Sequence, residues 1–137
     1  MVVLDASVVV KWVLRDEVGA AEALEWRERH RSGMDRVAVP EMLFYEVANA
    51  IVWSGRIEPA LIEECWVGLL AVGLAVYVLR GKPMLRAIEL ARVAQTSVYD
   101  ACYVALAETL ECDLVTADAK LARKLRGHDV ACDVRTL

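Results

Sequence analysis

Asp5, Glu46, Asp100 and Asp118 stand almost alone in apolar stretches of a chain that otherwise gathers its charges into polar runs. Asp5 is the only charged residue between Met1 and Val10, Glu46 the only one between Met42 and Gly55, and Asp100 the only one between Val93 and Ala107. A carboxylate so placed needs a reason, because desolvating an unpaired one is costly unless it is protonated, hydrogen-bonded or ligating a cation. Were all four ionised within about 5 Å of one another, each pair would repel by roughly 3 kcal/mol at an effective dielectric of about 20. Such a cluster persists only if some acids hold a proton or hard divalent cations neutralise it, and all-oxygen ligation is what Mg²⁺ and Mn²⁺ prefer. The chemistry open to such a centre is phosphodiester hydrolysis, in which metal ions activate water and stabilise the leaving oxygen.

Taken singly, each acid also has a bland reading. Asp5 and Asp118 fit helix N-caps, a role worth about 1 kcal/mol. Ser97 and Asp100 have the spacing of a capping box, with Asp in place of the usual Glu. Glu46, expected in the second turn of a helix between Tyr45 and Val47, has no cap to serve. Asn49 lies three residues further along the same helical face; it either hydrogen-bonds Glu46 or a metal-bound water, or satisfies a buried backbone group. Ser7 and Thr116 either cap helices, orient an acid from behind, or do both. Lys11 and Arg15 follow the first acid, and Lys120, Arg123 and Lys124 follow the fourth. Lys11, Arg15 and Lys120 are the candidates for phosphate contact, whereas Arg123 and Lys124 read as solvated helix charges.

The elements that must position these groups alternate between short β-branched runs and longer helical patterns, the signature of an α/β fold with a parallel sheet. Strands are expected at Val2–Asp5, Arg36–Val39, Ala75–Leu79, Asp113–Val115 and Val130–Val134. Helices are expected at Ser7–Leu14, Val18–Arg31, Glu41–Ser54, Pro59–Ala71, Pro83–Ala94, Val98–Leu110 and Asp118–Arg126. Pro40, Pro59 and Pro83 mark helix starts, and Gly55 and Gly127 follow helix ends. Asp5 then closes the first strand, Asp118 follows the fourth, Asp100 opens the helix leading into that strand, and Glu46 sits early in the helix after the second. In open α/β sheets the ligand site lies beyond the carboxyl ends of the strands, so all four acids are placed to meet on one rim.

Length and composition bound the rest. A chain of 137 residues makes one domain, residues 1–137, with a sizeable core. The balance of 16 Lys+Arg against 20 Asp+Glu, a net charge of -4, excludes nucleic-acid binding by an overall basic surface. Cys65, Cys102, Cys112 and Cys132 form no CxxC pair and read as buried free thiols, consistent with a reducing cytoplasm. The start MVVLDASVVVKW lacks the pattern of a signal peptide, and the expected location is cytoplasmic, without membrane attachment. The uncharged run Cys65–Leu79 is shorter than the roughly 20 residues a membrane helix needs and reads as a buried helix end, a turn at Gly73 and a strand. His30 and His128 with no GxSxG offer no Ser-His-Asp hydrolase, and the scattered glycines make no phosphate-cradling loop. Trp12, Trp26, Trp53 and Trp66 read as core or partner-contact residues.

The segments LDASVVVKW, PEMLFYEVANAI, TSVYDACYVALAE and LVTADAKL together resemble, in order and spacing, the four acid-bearing blocks of PIN-domain ribonucleases of the VapC toxin class. The resemblance spans nearly the whole chain. It implies a single PIN-like α/β domain with a mainly parallel central sheet of about five strands flanked by helices. It implies Mg²⁺- or Mn²⁺-dependent hydrolysis of RNA, with Asp5, Asp100 and Asp118 as direct or water-mediated ligands. Glu46 would ligate a second metal or orient the attacking water, and Ser7, Asn49 and Thr116 would support the acids. Some relatives carry a further acid two residues beyond the fourth, where this chain has Lys120. The resemblance also implies a VapB-like antitoxin partner whose C-terminal segment occupies a groove near the site, and a homodimer. Two other classes share an acid cluster: a phosphoacceptor receiver-like domain, which should carry a late-strand Lys not found near Val130–Val134, and a catalytically idle binding protein.

Overall fold

The computed structural model describes residues 1–137. Its sheet grows from β1 (Val2–Leu4), whose three residues VVL are all buried. β-Branched and leucine side chains buried on both faces are what a central parallel strand requires. β1 pairs in parallel with β2 (Val37–Pro40) on one side and with β4 (Asp113–Thr116) on the other. β3 (Ala75–Tyr77) adds outside β2 and β5 (Val134–Thr136) outside β4, giving the order β3-β2-β1-β4-β5 with every pairing parallel. The chain thus winds outward from β1 to β3, returns, and continues on the other side. The gap between β1 and β4 is therefore the switch point at which an open α/β sheet offers a crevice beyond its strand ends.

Seven helices flank the sheet: α1 (Ala6–Val9), α2 (Ala20–Arg31), α3 (Leu43–Ser54), α4 (Ile62–Leu70), α5 (Lys82–Val93), α6 (Val98–Thr109) and α7 (Ala119–Leu125). α6 is the most deeply placed, with Ala101 to Ala107 all buried. Its alanines let it lie closely against β1, β2 and β4 while α5 covers its other side. Ser97 starts it as N-cap, its hydroxyl accepting the Asp100 N–H at 3.0 Å. A bidentate ion pair ties α5 to α6: Arg86 Nε and Nη2 donate to the two carboxylate oxygens of Glu108 at 2.8 and 3.0 Å. Arg86 Nη2 also donates to the Asp129 carbonyl, and Glu108 accepts the Ala131 N–H at 2.9 Å, so the same pair pins the segment ahead of β5.

Several expected boundaries move, each for a local reason. The helix after β1 tightens after Val9 into a 3₁₀ turn at Val10–Trp12 instead of running to Leu14. Pro40 ends β2, paired with Tyr77, rather than starting a helix. α3 consequently begins at Leu43, and Glu46 falls in its first turn, not its second. The fifth strand is Val134–Thr136 rather than Val130–Val134, because residues 130–133 form bends before Leu114 N–H reaches the Asp133 carbonyl at 2.9 Å. The turn at Gly73 is present, with φ 73°. The helix before it is not a buried helix end: only Leu69 of α4 is buried, and Val67 and Leu70 face outward. Cys102 is buried and Cys65, Cys112 and Cys132 are half-buried. No helix is long and apolar enough to cross a membrane.

Candidate active site at the carboxyl ends of β1 and β4

Asp5 leaves the end of β1 in extended conformation and stands at the N-cap position of α1, yet its side chain caps nothing. The capping reading therefore fails for this residue. Its Oδ2 instead accepts two hydroxyls, Ser7 Oγ at 2.5 Å and Thr116 Oγ1, from the end of β4, at 2.7 Å. The two hydroxyls lie 3.3 Å apart. Each has a single proton, and both donate to the same oxygen, which suits an ionised Asp5. Their lone pairs are used in turn: Ser7 Oγ accepts the Ala117 N–H at 2.9 Å, and Thr116 Oγ1 accepts the Asp118 N–H at 3.0 Å. Asp5 is only 5% exposed. Burial pushes its carboxyl above the ordinary value, the two hydroxyls oppose the rise, and the charge of Asp100 adds to it.

Glu46 reaches the same region from α3. Its Oε2 accepts the hydroxyl of Tyr103, a fully buried residue of α6. Burial pushes the Glu46 carboxyl up to about 7; the Tyr103 hydroxyl works against the rise, and the charges of Asp5 and Asp100 reinforce it. Tyr103 is held as a neutral donor, its phenol raised by burial and by the charge of Glu46. Asp100 sits in the first turn of α6, where the helix dipole favours negative charge. Its backbone N–H completes the Ser97 cap, but its side chain does not close a capping box: Oδ2 accepts the Thr96 hydroxyl at 2.9 Å instead.

Asp118 is a helix N-cap, its Oδ1 accepting the N–H groups of Lys120 and Leu121 at 2.7 and 3.1 Å. It is linked to Asp5 through Thr116, whose hydroxyl touches both. Asp5, Glu46 and Asp100 thus feel one another's charge, and Asp118 joins them through a shared hydroxyl. No three Asp, Glu, His or Cys side chains stand close enough to grip a single ion on their own. The donor chemistry nevertheless fits Mg²⁺ or Mn²⁺: the set is all oxygen, mutually repelling and partly buried. Mg²⁺ is ordinarily held by one or two carboxylates with several retained waters rather than by a full protein cage.

The remaining sequence candidates are placed less centrally. Asn49 is exposed and makes no hydrogen bond with Glu46. Lys11 is engaged with Glu17 at 2.9 Å, its side chain 12% exposed. Arg15 lines a cavity of about 400 Å³ with Trp12, Arg27 and Glu64, none of the four acids among its walls. Lys120 is exposed in the first turn of α7, two residues from Asp118. Of the tryptophans, Trp12 is buried with its indole N–H on the Ala23 carbonyl at 2.7 Å, whereas Trp53 is 80% exposed. Tyr103 and Thr96 were not singled out from the sequence. The signal for Tyr103 was its position three residues after Asp100, which puts both on one helical face.

Comparison with known proteins agrees with this architecture. A model of the PIN domain family matches residues 2–126, and the chain belongs to that family, whose members are generally nucleases that use divalent metals. Among solved structures, VapBC2 from Rickettsia felis bound to a DNA fragment from their promoter superposes with a TM-score of 0.68 at 12% identity, covering 100% of this chain and 99% of that one. PAE2754 from Pyrobaculum aerophilum superposes with a TM-score of 0.64 at 24% identity, covering 92% of this chain and 86% of that one. At these identities the superpositions show the fold. A search of curated proteins gave no significant match.

Proposed function

We propose that this PIN domain is a metal-dependent endoribonuclease and the toxin of a VapBC-type toxin-antitoxin pair. The observation that carries the catalytic part is that Asp5, at the switch point of the sheet, Glu46 and Asp100 are tied by no side chains but hydroxyls, while the charges of Asp5 and Asp100 raise their neighbours' carboxyls. No cationic side chain bonds these carboxylates: their side-chain partners are the neutral hydroxyls of Ser7, Thr116, Thr96 and Tyr103, and a divalent cation would offset the repulsion that these hydroxyls and the raised Glu46 carboxyl leave.

Asp5, Asp100 and Asp118 would hold Mg²⁺ or Mn²⁺, directly or through water. When bound, the ion supplies Lewis acidity toward the phosphodiester and lowers the pKa of water. Ser7 and Thr116 fix Asp5 so that its carboxylate needs no reorganisation during the reaction. Glu46, with its carboxyl pushed up to about 7, is matched to taking a proton from the attacking water near neutral pH. Attack is in line, and no covalent enzyme intermediate forms. Lys120, exposed beside Asp118, is a basic side chain placed to meet an RNA phosphate; Lys11 is committed to Glu17.

The partner part rests on exposed apolar surface. Val52, Trp53, Leu61, Val67 and Leu70 are each about half exposed or more on α3, α4 and the turn between them. Exposed apolar side chains of this size are candidates for an interaction surface. A VapB-like antitoxin and self-association as a homodimer are the two occupants proposed for the chain's apolar faces.

The deciding experiment is RNA cleavage by purified protein in Mg²⁺ or Mn²⁺, with and without EDTA, beside Asp5→Asn as the contamination control. Metal-dependent cutting that disappears in the variant supports the reading. A folded, metal-binding protein that cuts none of a varied RNA panel would point to an idle acid site and overturn the enzymatic part.

A further inference from the structure

Three of the four acids share one construction. Asp5 Oδ2 is held by Ser7 and Thr116, Asp100 Oδ2 by Thr96, and Glu46 Oε2 by Tyr103, in every case through a hydroxyl that donates. No side-chain hydrogen bond reaches Oδ1 of Asp5, Oδ1 of Asp100 or Oε1 of Glu46. Since no fully buried side-chain oxygen goes without a partner, these second oxygens are not sealed in the core, and at Asp5 the backbone N–H of Ala6 also acts on the carboxylate. Each carboxylate therefore has one oxygen tied to a hydroxyl and a second that no side chain holds.

The hydroxyls of Ser7, Thr116 and Thr96 come from residues close in sequence to the acids or at the adjoining strand end. Tyr103 differs. It is 0% exposed in the most buried helix, and it meets a carboxylate 57 residues away on α3. A buried phenol needs only one acceptor, and a neutral carbonyl would spare it the cost of facing a half-buried charge. Glu46 gains what the tyrosine does not need: a partly exposed glutamate has three free torsions, and a rigid donor in α6 removes that freedom before any ligand arrives.

We infer that Tyr103 is a positioning residue of the nuclease site: its hydroxyl fixes Oε2 of Glu46 and so presents Oε1 to the incoming cation or water. The inference rests on the metal-dependent reading of the acid site given above.

Tyr103→Phe removes the hydroxyl and keeps the ring. It is compared with Glu46→Gln and with the double variant, reading Mn²⁺ affinity by calorimetry together with kcat and KM for RNA cleavage. Tyr103→Phe is expected to weaken Mn²⁺ binding on the order of 10-fold and to lower kcat with KM for RNA little changed. It should add nothing further in the Glu46→Gln background, because it acts through that carboxylate. Should Glu46→Gln weaken Mn²⁺ binding while Tyr103→Phe binds as the native chain does, Tyr103 is an ordinary core phenol and the inference falls while the site reading stands. If neither variant alters Mn²⁺ binding or kcat, Glu46 takes no part in the site, and the inference falls together with the role given to Glu46. A second measurement needs no variant: Mg²⁺ added to the native chain should shift its tyrosine ultraviolet band, and a band indifferent to saturating Mg²⁺ would also overturn the inference.

Discussion

Thr116 Oγ1 donates to Asp5 Oδ2 at 2.7 Å, joining the ends of β4 and β1 across 111 residues of chain, and the same hydroxyl accepts the N–H of Asp118. One fully buried atom group thus serves both the carboxylate that ends the central strand and the turn that delivers the fourth acid. Thr116→Val keeps the shape and deletes both hydrogen bonds. Leaving a buried carboxylate and a backbone N–H short of a partner should cost about 2 kcal/mol, read as a lower urea midpoint at unchanged m-value. Cleavage should fall as well, since Asp5 would keep only Ser7. A variant as stable and active as the native chain would show that the Thr116 hydroxyl is dispensable.

Stability of the metal-free protein should depend on pH through Glu46. Its carboxyl stands at about 7 in the folded chain against an ordinary value of 4.5. Protonation therefore favours the folded state: the stabilisation is fully present below about pH 4.5 and is lost as pH rises through about 7. Asp5, also raised by burial, acts in the same direction. Glu17 and Glu108 act oppositely. Glu17 is lowered by its Lys11 hydrogen bond, and in Glu108 the Arg86 pairing outweighs the effect of burial; their contributions are present at neutral pH and lost on acidification. Glu46→Gln removes only the first effect. In chelator, the variant should gain stability relative to the native chain between about pH 5 and about pH 8. Urea curves whose difference stays constant over that range would contradict the assignment.

What the sequence revealed and what it hid follow from how each feature is encoded. β1 was readable because a buried strand carries an unbroken apolar run, VVL, and Asp5 and Asp100 because a lone charge in an apolar run is conspicuous. β5 was misplaced toward Val130 because an edge strand, VRT with two exposed residues, has little apolar signal, while the bends before it contain Val130 and Cys132. α4 looked buried from its apolar letters, yet apolar composition alone cannot separate a core helix from an unpartnered one. Lys11 looked available because its partner Glu17 lies beyond a 3₁₀ turn, where helical spacing rules do not apply. Tyr103 was hidden for a related reason: its partner belongs to another helix, α3, which packs on α1, and only the folded chain brings the two side chains together.

Arg86 and Glu108 should matter for stability and not for chemistry. Glu108 is 10% exposed and engaged at both oxygens. Replacing Arg86 by Ala leaves that carboxylate half-buried with only the Ala131 N–H. Hydrogen bonds to charged groups are worth about 1.5–3 kcal/mol, and a loss of that size is expected in chemical denaturation. Amide exchange should accelerate in residues 129–133, which the pair pins against α6. Cleavage per folded molecule should be unchanged, because no acid of the candidate site touches either residue. Unaltered exchange in that segment would mean that the segment is held by β5 alone.

Asp118 carries two separable duties, and two substitutions distinguish them. Its Oδ1 caps α7 through the N–H groups of Lys120 and Leu121, while its second oxygen and its charge are what the cation site would use. Asn caps a helix about as well as Asp, and Ala does not. Asp118→Asn should therefore unfold at nearly the native urea concentration yet lose cleavage on the order of 100-fold, as expected when a metal-supporting carboxylate is neutralised. Asp118→Ala should lose cleavage to the same extent and about 1 kcal/mol of stability besides. If Asp118→Asn kept full cleavage and Asp118→Ala lost it only in proportion to its unfolding, Asp118 would be a cap and nothing more, and the cation site would be reduced to Asp5, Glu46 and Asp100.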